Sequence, residues 1–369
     1  MLNLNLIDQA LKSPLARILS WPHSPESYLE FLAPQVGGRA IKARVKAVHQ
    51  QTSRAVSLVL EPNHRWDSCQ AGQYVTLTVS INGRRHSRCF TVSHVEDGCP
   101  VVTIQSREAA DDSEITSVSR WANESVWVGD SVEISAGAGD FVLPAKRPER
   151  FLFIAGGSGI TPIRALTDEL VSEGYTGQID ILYYVPTKAD AIFLRHLEAV
   201  TEALPNIRLH LVCTREKIED TALRGYFSEF HLASIGADLS SSAAYVCGPS
   251  ALIEAVENHW QEKGQATRLT LERFQAAARS VAVEGEAQPV LFSASNITST
   301  APGMTLLETA EGAGLSPMHG CRQGICRTCT CRKTSGQVRD IRTGEISDDG
   351  EEDIAICVSV PVTPVTLAI

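Results

Sequence analysis

Apolar and polar positions along the chain fall into successive patterns, which predict three folded units after a short N-terminal extension. Residues 1–38 carry apolar side chains at helical spacing, so we expect a small helical extension there. Residues 39–147 show short β-rich runs separated by turn signals such as Asn82-Gly83 and Asp97-Gly98. That spacing predicts an antiparallel β-barrel. The predicted strands cover residues 43–48, 55–60, 74–80, 89–93, 101–105 and 131–135.

The pattern changes at residue 148, where apolar strands begin to alternate with helical segments. This alternation predicts an α/β unit with a parallel, doubly wound sheet over 148–274. Residues 275–288 are rich in Ala, Glu and Gly with little apolar periodicity, and we interpret them as a linker. The last unit spans 289–369. In the α/β unit, strands are predicted at 151–155, 179–185, 208–214, 243–247 and 268–271, and helices at 162–172, 191–203 and 249–263.

Composition narrows the class of protein. The 369 residues are 43% hydrophobic and 21% charged, as in soluble globular proteins. The formal net charge of −10 argues against a nucleic-acid partner, which would need a basic surface. No apolar run is long enough to predict a spanning helix, and the N-terminus lacks the pattern of a signal peptide. We therefore expect a cytoplasmic protein.

The strongest chemical signal is a cysteine cluster near the C-terminus. Cys321, Cys326 and Cys329 are spaced Cys-x4-Cys-x2-Cys, and Cys357 follows as a single further thiol. This is the ligand spacing of plant-type 2Fe–2S ferredoxins. The alternative is a structural zinc site, although such sites usually pair two close knuckles.

Residues around the cysteines support the iron–sulfur interpretation. Gly320 and Gly324 let the backbone approach closely, so that amide N–H groups can point at the sulfurs. We interpret Cys331 as a spare thiol, because the loop spacing is complete without it. The acidic run at 348–353 is either a docking face for a basic acceptor or a solvated loop.

A glycine-rich turn follows the first predicted strand of the α/β unit. Glycines let the backbone close around a pyrophosphate, and a proline at the first helical position leaves the other N–H groups pointing at the anion. Such turns also join strands to helices without binding anything, but the position at the start of a doubly wound sheet favours a nucleotide site. The candidate residues are Gly156, Gly157, Ser158, Gly159, Thr161 and Pro162.

Two further motifs are weaker when taken alone. A later strand ends in Cys247-Gly248-Pro249 at the carboxyl edge of the sheet, where Cys247 is either beside the nicotinamide or simply a buried thiol. On a barrel strand, Arg88, Phe90 and Thr91 offer a phosphate clamp, an aromatic stacking surface and a hydroxyl for flavin N5.

The order of these motifs resembles the ferredoxin–NADP reductase superfamily, in its branch with a fused C-terminal ferredoxin. The resemblance covers nearly the whole chain from about Ile41. It implies a multidomain protein with an antiparallel β-barrel flavin domain, an α/β nucleotide domain and an α+β β-grasp ferredoxin domain. It also implies an NAD(P)H-dependent oxidoreductase, in which electrons pass through flavin and a 2Fe–2S cluster to an external acceptor.

The resemblance assigns roles on the barrel. Arg88, Phe90 and Thr91, with Cys89 between them, match the family's flavin-binding Arg-x-Tyr-Ser motif, with Phe for Tyr and Thr for Ser. The family's Gly-x-x-Ser element, which caps the flavin pyrophosphate with a helix start, is similar to Thr116 and the residues after it. Threonine in place of glycine leaves the phosphate contact open. The matching residues after Thr116 are Ser117, Val118 and Ser119.

The resemblance also assigns roles in the α/β unit. The family's Glu-aromatic end of the nucleotide domain is similar to Glu272 and Phe274, which are then expected near the flavin ring. Together with Thr91 and Cys247, Glu272 is a candidate catalytic residue.

Coenzyme choice is predicted from residues after the third strand of the α/β unit. Thr214 and Arg215 resemble the Ser-Arg pair that holds the 2′-phosphate of NADPH, so we expect NADPH rather than NADH, the alternative being an ordinary surface arginine. FAD is expected rather than FMN because of the helix-capping element, although relatives with this domain order use FMN.

The acceptor is predicted from the N-terminal leader. Residues 13–19 and 22–34 are similar to the leader of reductases that serve membrane fatty-acid desaturases. We therefore expect a desaturase or another oxygenase as the acceptor, with peripheral contact at the inner face of the membrane. For the leader, the alternative is that it covers part of the barrel. For the whole protein, the alternatives are an NADH-dependent reductase for a ring-hydroxylating dioxygenase or a cytochrome P450, and a non-catalytic redox-sensing subunit.

Overall fold

In the computed structural model of the chain, the described residues are 41–106, 117–216, 223–274, 288–300, 303–315, 317–318, 324 and 329–369. The predicted extension at 1–38 and nearly all of the predicted linker at 275–288 lie outside them. So do two predicted metal ligands, Cys321 and Cys326. The described part contains a barrel and two further units, in the order that the sequence predicts.

The first unit is a closed antiparallel barrel, as predicted, with strand order β1-β2-β5-β4-β3-β6. In β3 the apolar residues Val75, Leu77, Val79 and Ile81 alternate with more exposed polar ones, so one face of the strand fills the barrel interior. Helix α1 (Val118–Glu124) lies between β5 and β6. The strands are β1 (Ile41–Thr52), β2 (Ala55–Pro62), β3 (Tyr74–Ile81), β4 (Arg84–Glu96), β5 (Cys99–Gln105) and β6 (Ser131–Ile134).

The second unit is the predicted parallel sheet, with strand order β11-β10-β7-β8-β9. All but the first residue of the central strand β7 are buried, because helices cover both faces of the sheet. The strands are β7 (Arg150–Gly156), β8 (Gln178–Val185), β9 (Ile207–Cys213), β10 (Ser242–Gly248) and β11 (Leu269–Arg273). The helices are α2 (Ile160–Ser172), α3 (Leu194–Ala203), α4 (Glu229–Ser234) and α5 (Ser250–Glu262).

The winding of this sheet locates its binding crevice. From β7 the chain moves outward to β8 and β9, and then returns to β10 on the other side of β7. The boundary between β7 and β10 is therefore the topological switch point, and ligands bind beyond the carboxyl ends of the strands at such a point.

The helix predicted at 191–203 begins later than expected, at Leu194. The preceding residue, Phe193, has a φ of +61°, which is left-handed and incompatible with a helix. Two side chains pack against its ring. The guanidinium carbon of Arg164 lies 4.3 Å from the ring centroid, and the His94 ring lies edge-on at 6.0 Å. Because both contacts come from distant parts of the chain, local periodicity could not predict them.

The barrel and the α/β unit pack on a common core. Ala55 of β2 belongs to the same buried cluster as Tyr245 of β10. The Tyr245 hydroxyl donates a hydrogen bond to the Val142 carbonyl oxygen at 2.9 Å, and Arg54 pairs with Asp190 at 3.0 Å. The two units are thus held against each other by apolar packing, a hydrogen bond and an ion pair.

The third unit is a mixed sheet in the order β13-β12-β18-β14-β16 with one packed helix, which confirms the predicted α+β class. Helix α6 (Leu306–Gly312) buries Leu306 and Leu307 against Phe292. No helix in the described ranges of the chain is long and apolar enough to cross a membrane. The strands are β12 (Pro289–Phe292), β13 (Ile297–Thr300), β14 (Thr330–Ser335), β15 (Val338–Asp340), β16 (Glu352–Ala355), β17 (Ser359–Pro361) and β18 (Val365–Leu367).

Candidate functional site

The glycine-rich turn and the end of β10 meet at the switch point. A Cβ atom on Gly159 would overlap the carbonyl oxygen of Cys247 and lie 2.7 Å from the backbone nitrogen of Gly248. A Cβ on Gly156 would lie 2.6 Å from Cδ of Pro249. Only glycine permits these close backbone approaches. The structure therefore brings together two motifs that the sequence places about 90 residues apart.

The turn itself is shaped for an anion. Gly157 has a φ of +53°, and Gly157–Gly159 forms a 3-10 turn that leads directly into α2. The buried Thr161 donates from Oγ1 to the Ser158 carbonyl oxygen at 2.9 Å. In the first turn of α2 the Ile160 N–H donates to the Gly157 and Ser158 carbonyl oxygens and Pro162 has no N–H, so the N–H groups of the Gly157–Gly159 turn itself are the candidates for binding a pyrophosphate.

On the barrel side, Thr91 has a buried hydroxyl without a partner. The residue is 3% exposed, and Oγ1 has no hydrogen-bond partner among the described residues. A buried hydroxyl normally finds a partner, so this one fits a bound group that accepts or donates a hydrogen bond there. Position N5 of a flavin meets that requirement, and the residues present therefore fit the flavin that the sequence predicts.

The neighbours of Thr91 on β4 alternate between the two faces of the strand. Arg88 donates from Nη1 to the Ser87 carbonyl oxygen at 2.8 Å, and Phe90 is half-buried against the rim of the barrel core. The Cys89 thiol lies 3.6 Å from the Thr76 hydroxyl. The flavin-contacting roles of these residues stay predictions.

The helix start predicted after residue 116 is present. Ser117 is the N-cap of α1, and its hydroxyl accepts a hydrogen bond from the Arg120 N–H at 3.2 Å. Val118 is buried, and the Ser119 carbonyl oxygen accepts from the Asn123 amide. Thr116 itself lies outside the described residues. Capping of a phosphate by the first turn of α1 stays a prediction.

Cys247 and Glu272 are direct neighbours across β10 and β11. They are register partners, and the thiol sulfur lies 3.9 Å from Oε2 of the carboxyl group. Desolvation raises the pKa of Glu272 to about 8 and raises the pKa of the fully buried Cys247 thiol as well. Both groups are therefore uncharged at neutral pH, and they form an uncharged pair near the end of β10. Phe274, just after β11, packs against the same core.

Replacement of Glu272 by glutamine is expected to stabilise the α/β domain at alkaline pH and to have little effect in acid. The carboxyl group ionises near pH 4.5 in the unfolded chain but stays protonated up to about pH 8 in the folded chain. Between these values the folded state holds a proton that the unfolded state has lost, so stability falls as pH rises. Glutamine does not titrate and avoids this loss.

The gain for Glu272→Gln should grow to about 2 kcal/mol of unfolding free energy above pH 8, allowing for partial solvent exposure. Urea unfolding followed by tryptophan fluorescence, to which the buried Trp260 of this domain contributes, measures it across the pH range. Replacement of the exposed Glu254 on α5 by glutamine is the matched control. A pH-independent gain would contradict the raised pKa.

Thr214 and Arg215 lie at the same carboxyl edge of the sheet, next to the end of β8. Their backbone N–H groups donate to the carbonyl oxygens of Val185 and Pro186 at 2.8 and 2.9 Å. The Arg215 side chain is exposed. The position suits a phosphate on the adenosine half of a dinucleotide, which stays a prediction.

The described part of the cysteine site agrees with a thiolate cage. Cys329 and Cys357 are both buried, with their sulfur atoms 3.0 Å apart. The Gly324 N–H donates to the Cys357 sulfur at 3.2 Å, as expected where backbone amides stabilise thiolates. Cys331 lies on β14 with its sulfur 3.7 Å from the Arg332 carbonyl oxygen. Burial and donor chemistry of this pair thus fit a 2Fe–2S cluster. Cys321 and Cys326 lie outside the described residues, and their role as the other two ligands stays a prediction.

The acidic run at 348–353 is held by a lysine that the sequence does not point to. The Lys333 side chain is fully buried and donates to the carbonyl oxygens of Gly336, Asp348 and Gly350 at 2.6–2.7 Å. It also pairs with Glu352 at 3.2 Å. A lysine on a short strand gives no local signal of such burial, because Asp348, Gly350 and Glu352 reach it from a later part of the chain.

Comparison with known proteins agrees with this geometry. Residues 153–258 match the oxidoreductase NAD-binding domain family, and residues 293–362 match the 2Fe-2S iron-sulfur cluster binding domain family. The chain therefore belongs to the ferredoxin–NADP reductase superfamily of flavoproteins, in the branch with a fused 2Fe–2S ferredoxin domain. It is an NAD(P)H oxidoreductase of the ferredoxin reductase type.

Particular relatives extend over most of the chain. An NADPH oxidoreductase of Mycobacterium tuberculosis is 29% identical over 95% of this chain and 90% of its own length. The glycine betaine monooxygenase reductase subunit of Chromohalobacter salexigens is 28% identical over 80% of this chain and 86% of its own. Among solved structures, phthalate dioxygenase reductase has the same fold, with a TM-score of 0.61 and 20% identity over 90% of this chain and 98% of its own.

Proposed function

We propose that the protein is an NADPH-dependent, FAD-containing reductase that delivers electrons through its 2Fe–2S cluster to an oxygenase. The observation that carries this proposal is the combination, in one chain, of the glycine-lined switch-point crevice, the unpartnered Thr91 hydroxyl and a buried thiol pair at Cys329 and Cys357. The crevice suits the transfer of a hydride from the coenzyme to the flavin. The thiol pair would help to hold a 2Fe–2S cluster, which stores a single electron.

A bound flavin accepts two electrons as a hydride from NAD(P)H and releases them one at a time to a one-electron centre. The chain's own residues prepare this exchange. The glycine turn before α2 would bind the coenzyme pyrophosphate, and the Thr91 hydroxyl would orient the flavin ring. The uncharged pair of Cys247 and Glu272 would keep water away from the reacting face.

NADPH is favoured because Arg215 offers an exposed guanidinium at the carboxyl edge, where the adenosine ribose would lie. The name of the Mycobacterium tuberculosis relative agrees with this choice. FAD is favoured over FMN because α1 begins with a capped turn at Ser117, which suits the second phosphate of FAD.

Arg215→Ala should raise the KM for NADPH by about 10- to 100-fold and leave the KM for NADH unchanged, because a bond between a guanidinium and a phosphate is lost. Steady-state reduction of ferricyanide with each coenzyme measures the two values. The exposed Arg195 on α3 provides the control, since Arg195→Ala removes the same charge elsewhere on the domain. If the two coenzymes are affected equally, the assignment of NADPH is wrong.

An oxygenase is the proposed acceptor because the Chromohalobacter salexigens relative is a monooxygenase reductase subunit. Within that class, the similarity of residues 13–19 and 22–34 to the leader of desaturase reductases favours a membrane fatty-acid desaturase, with peripheral contact at the membrane. Reconstitution with a desaturase, a ring-hydroxylating dioxygenase and a cytochrome P450 tests the choice. Product formation only with one of the last two would contradict the desaturase proposal.

A further inference from the structure

Tyr183 on β8 contacts the glycine turn from beneath. Its side chain is fully buried, and its hydroxyl donates to the Gly157 carbonyl oxygen at 3.2 Å and accepts from the Ile192 N–H at 3.0 Å. The hydroxyl is therefore satisfied on both sides within the apolar core. It joins the turn after β7 to the segment before α3.

The hydrogen bond from Tyr183 to the Gly157 carbonyl oxygen also sets the orientation of the next N–H group, that of Ser158. In a trans peptide the C=O of one residue and the N–H of the next point in opposite directions. A carbonyl of Gly157 that is held toward the buried Tyr183 hydroxyl therefore directs the Ser158 N–H away from the core, toward the open carboxyl edge. The next peptide is fixed in the same way, because Thr161 donates to the Ser158 carbonyl oxygen.

The other partner of Tyr183 is itself held rigidly. Ile192 precedes Phe193, whose left-handed backbone is unfavourable for a side-chain-bearing residue and persists only where its surroundings enforce it. Arg164 packs over the Phe193 ring, and His94 contacts its edge. His94 lies on β4, three residues after Thr91. Tyr183 thus ties the turn to a segment that is anchored on the strand carrying the candidate flavin hydroxyl.

We infer that Tyr183 is a positioning residue for coenzyme binding, which holds the N–H groups of the Gly157–Gly159 turn in the orientation that binds the pyrophosphate. The inference rests on the proposed nucleotide site at this turn. Tyr183 does not itself reach the coenzyme, since its hydroxyl lies beneath the turn and is buried in the core.

The adjacent Tyr184 provides a matched control. It is also buried, and its hydroxyl is hydrogen-bonded to Nδ1 of His231 at 2.9 Å, in the cluster on the opposite face of the sheet. Tyr184→Phe therefore removes one buried hydroxyl from the same strand without touching the glycine turn. A merely structural role for Tyr183 predicts the same behaviour for both variants.

The test compares Tyr183→Phe and Tyr184→Phe in the full-length protein with its flavin and cluster bound. Calorimetry gives the Kd of NADP⁺ and NAD⁺, and ferricyanide reduction gives KM and kcat. We expect Tyr183→Phe to raise Kd and KM by about tenfold with kcat little changed, and Tyr184→Phe to leave Kd and KM unchanged. Unchanged binding in Tyr183→Phe, or an equal rise in both variants, would overturn the inference.

The use of both coenzymes separates this inference from the proposed function. If the wild-type protein prefers NADH, the proposed function is wrong in its choice of coenzyme. The inference on Tyr183 is still tested, because the Kd of NAD⁺ can be compared between the two variants. A wild-type protein that binds neither coenzyme overturns both. Flavin and cluster absorption, recorded for each variant, shows whether either substitution disturbs the fold.

Discussion

Replacement of Cys357 by alanine is expected to divide the electron-transfer chain into two parts. The variant should lose the iron–sulfur absorption and reduce cytochrome c only at background rate, because a buried ligand beside Cys329 is removed. Reduction of ferricyanide, which a reduced flavin supports without the cluster, should continue at close to the wild-type rate. The ratio of the two activities is the measurement.

Cys331→Ala is the matched control for this experiment. The residue is two positions after Cys329, yet its sulfur lies by the Arg332 carbonyl oxygen, so the variant should keep both the cluster and the reduction of cytochrome c. Retention of iron by Cys357→Ala, or its loss in Cys331→Ala, would show that the ligand set is wrong.

Substitution of Gly159 by alanine is expected to disable the coenzyme site. The added Cβ would overlap backbone atoms of Cys247 and lie 2.7 Å from the Gly248 nitrogen, so the two loops at the switch point must separate. We expect a loss of about 2 kcal/mol in the free energy of unfolding. Displacement of the turn by even an ångström should lower coenzyme-dependent ferricyanide reduction by about a hundredfold.

The same substitution at Gly312 is the control for steric overlap. That residue ends α6, has no atom within 4 Å of a Cβ position and does not have a positive φ, so alanine should be neutral or slightly stabilising. Normal coenzyme-dependent activity in Gly159→Ala would mean that the loops after β7 and β10 do not meet as described.

Much of the fold is encoded in local pattern. Barrel strands are buried on one face, so apolar and polar residues alternate along them. Strands of the parallel sheet are buried on both faces, so they are continuous apolar runs between helical segments. These two patterns differ, and they predict the two architectures. The start of α3 could not be predicted. The left-handed conformation of Phe193 depends on Arg164 and His94, which reach it from other elements.

The sequence predicts the motifs of the candidate site but not the contacts between them. The sequence indicates Cys247 and Glu272 separately, whereas their contact depends on the register of β10 against β11. The unpartnered hydroxyl of Thr91 is likewise a property of its burial. Tyr183 and Lys333 carried no sequence signal, because a tyrosine in an apolar strand and a lysine on a short strand are ordinary residues until their partners are known.

Anaerobic addition of NADPH to the purified protein, followed by absorption and electron paramagnetic resonance, tests the central claim that one chain carries electrons from coenzyme through flavin to a 2Fe–2S cluster. We predict that the flavin absorption bleaches and that the paramagnetic signal of a reduced 2Fe–2S cluster appears in the same sample. Bleaching without that signal, with zinc in place of iron on metal analysis, would contradict the account.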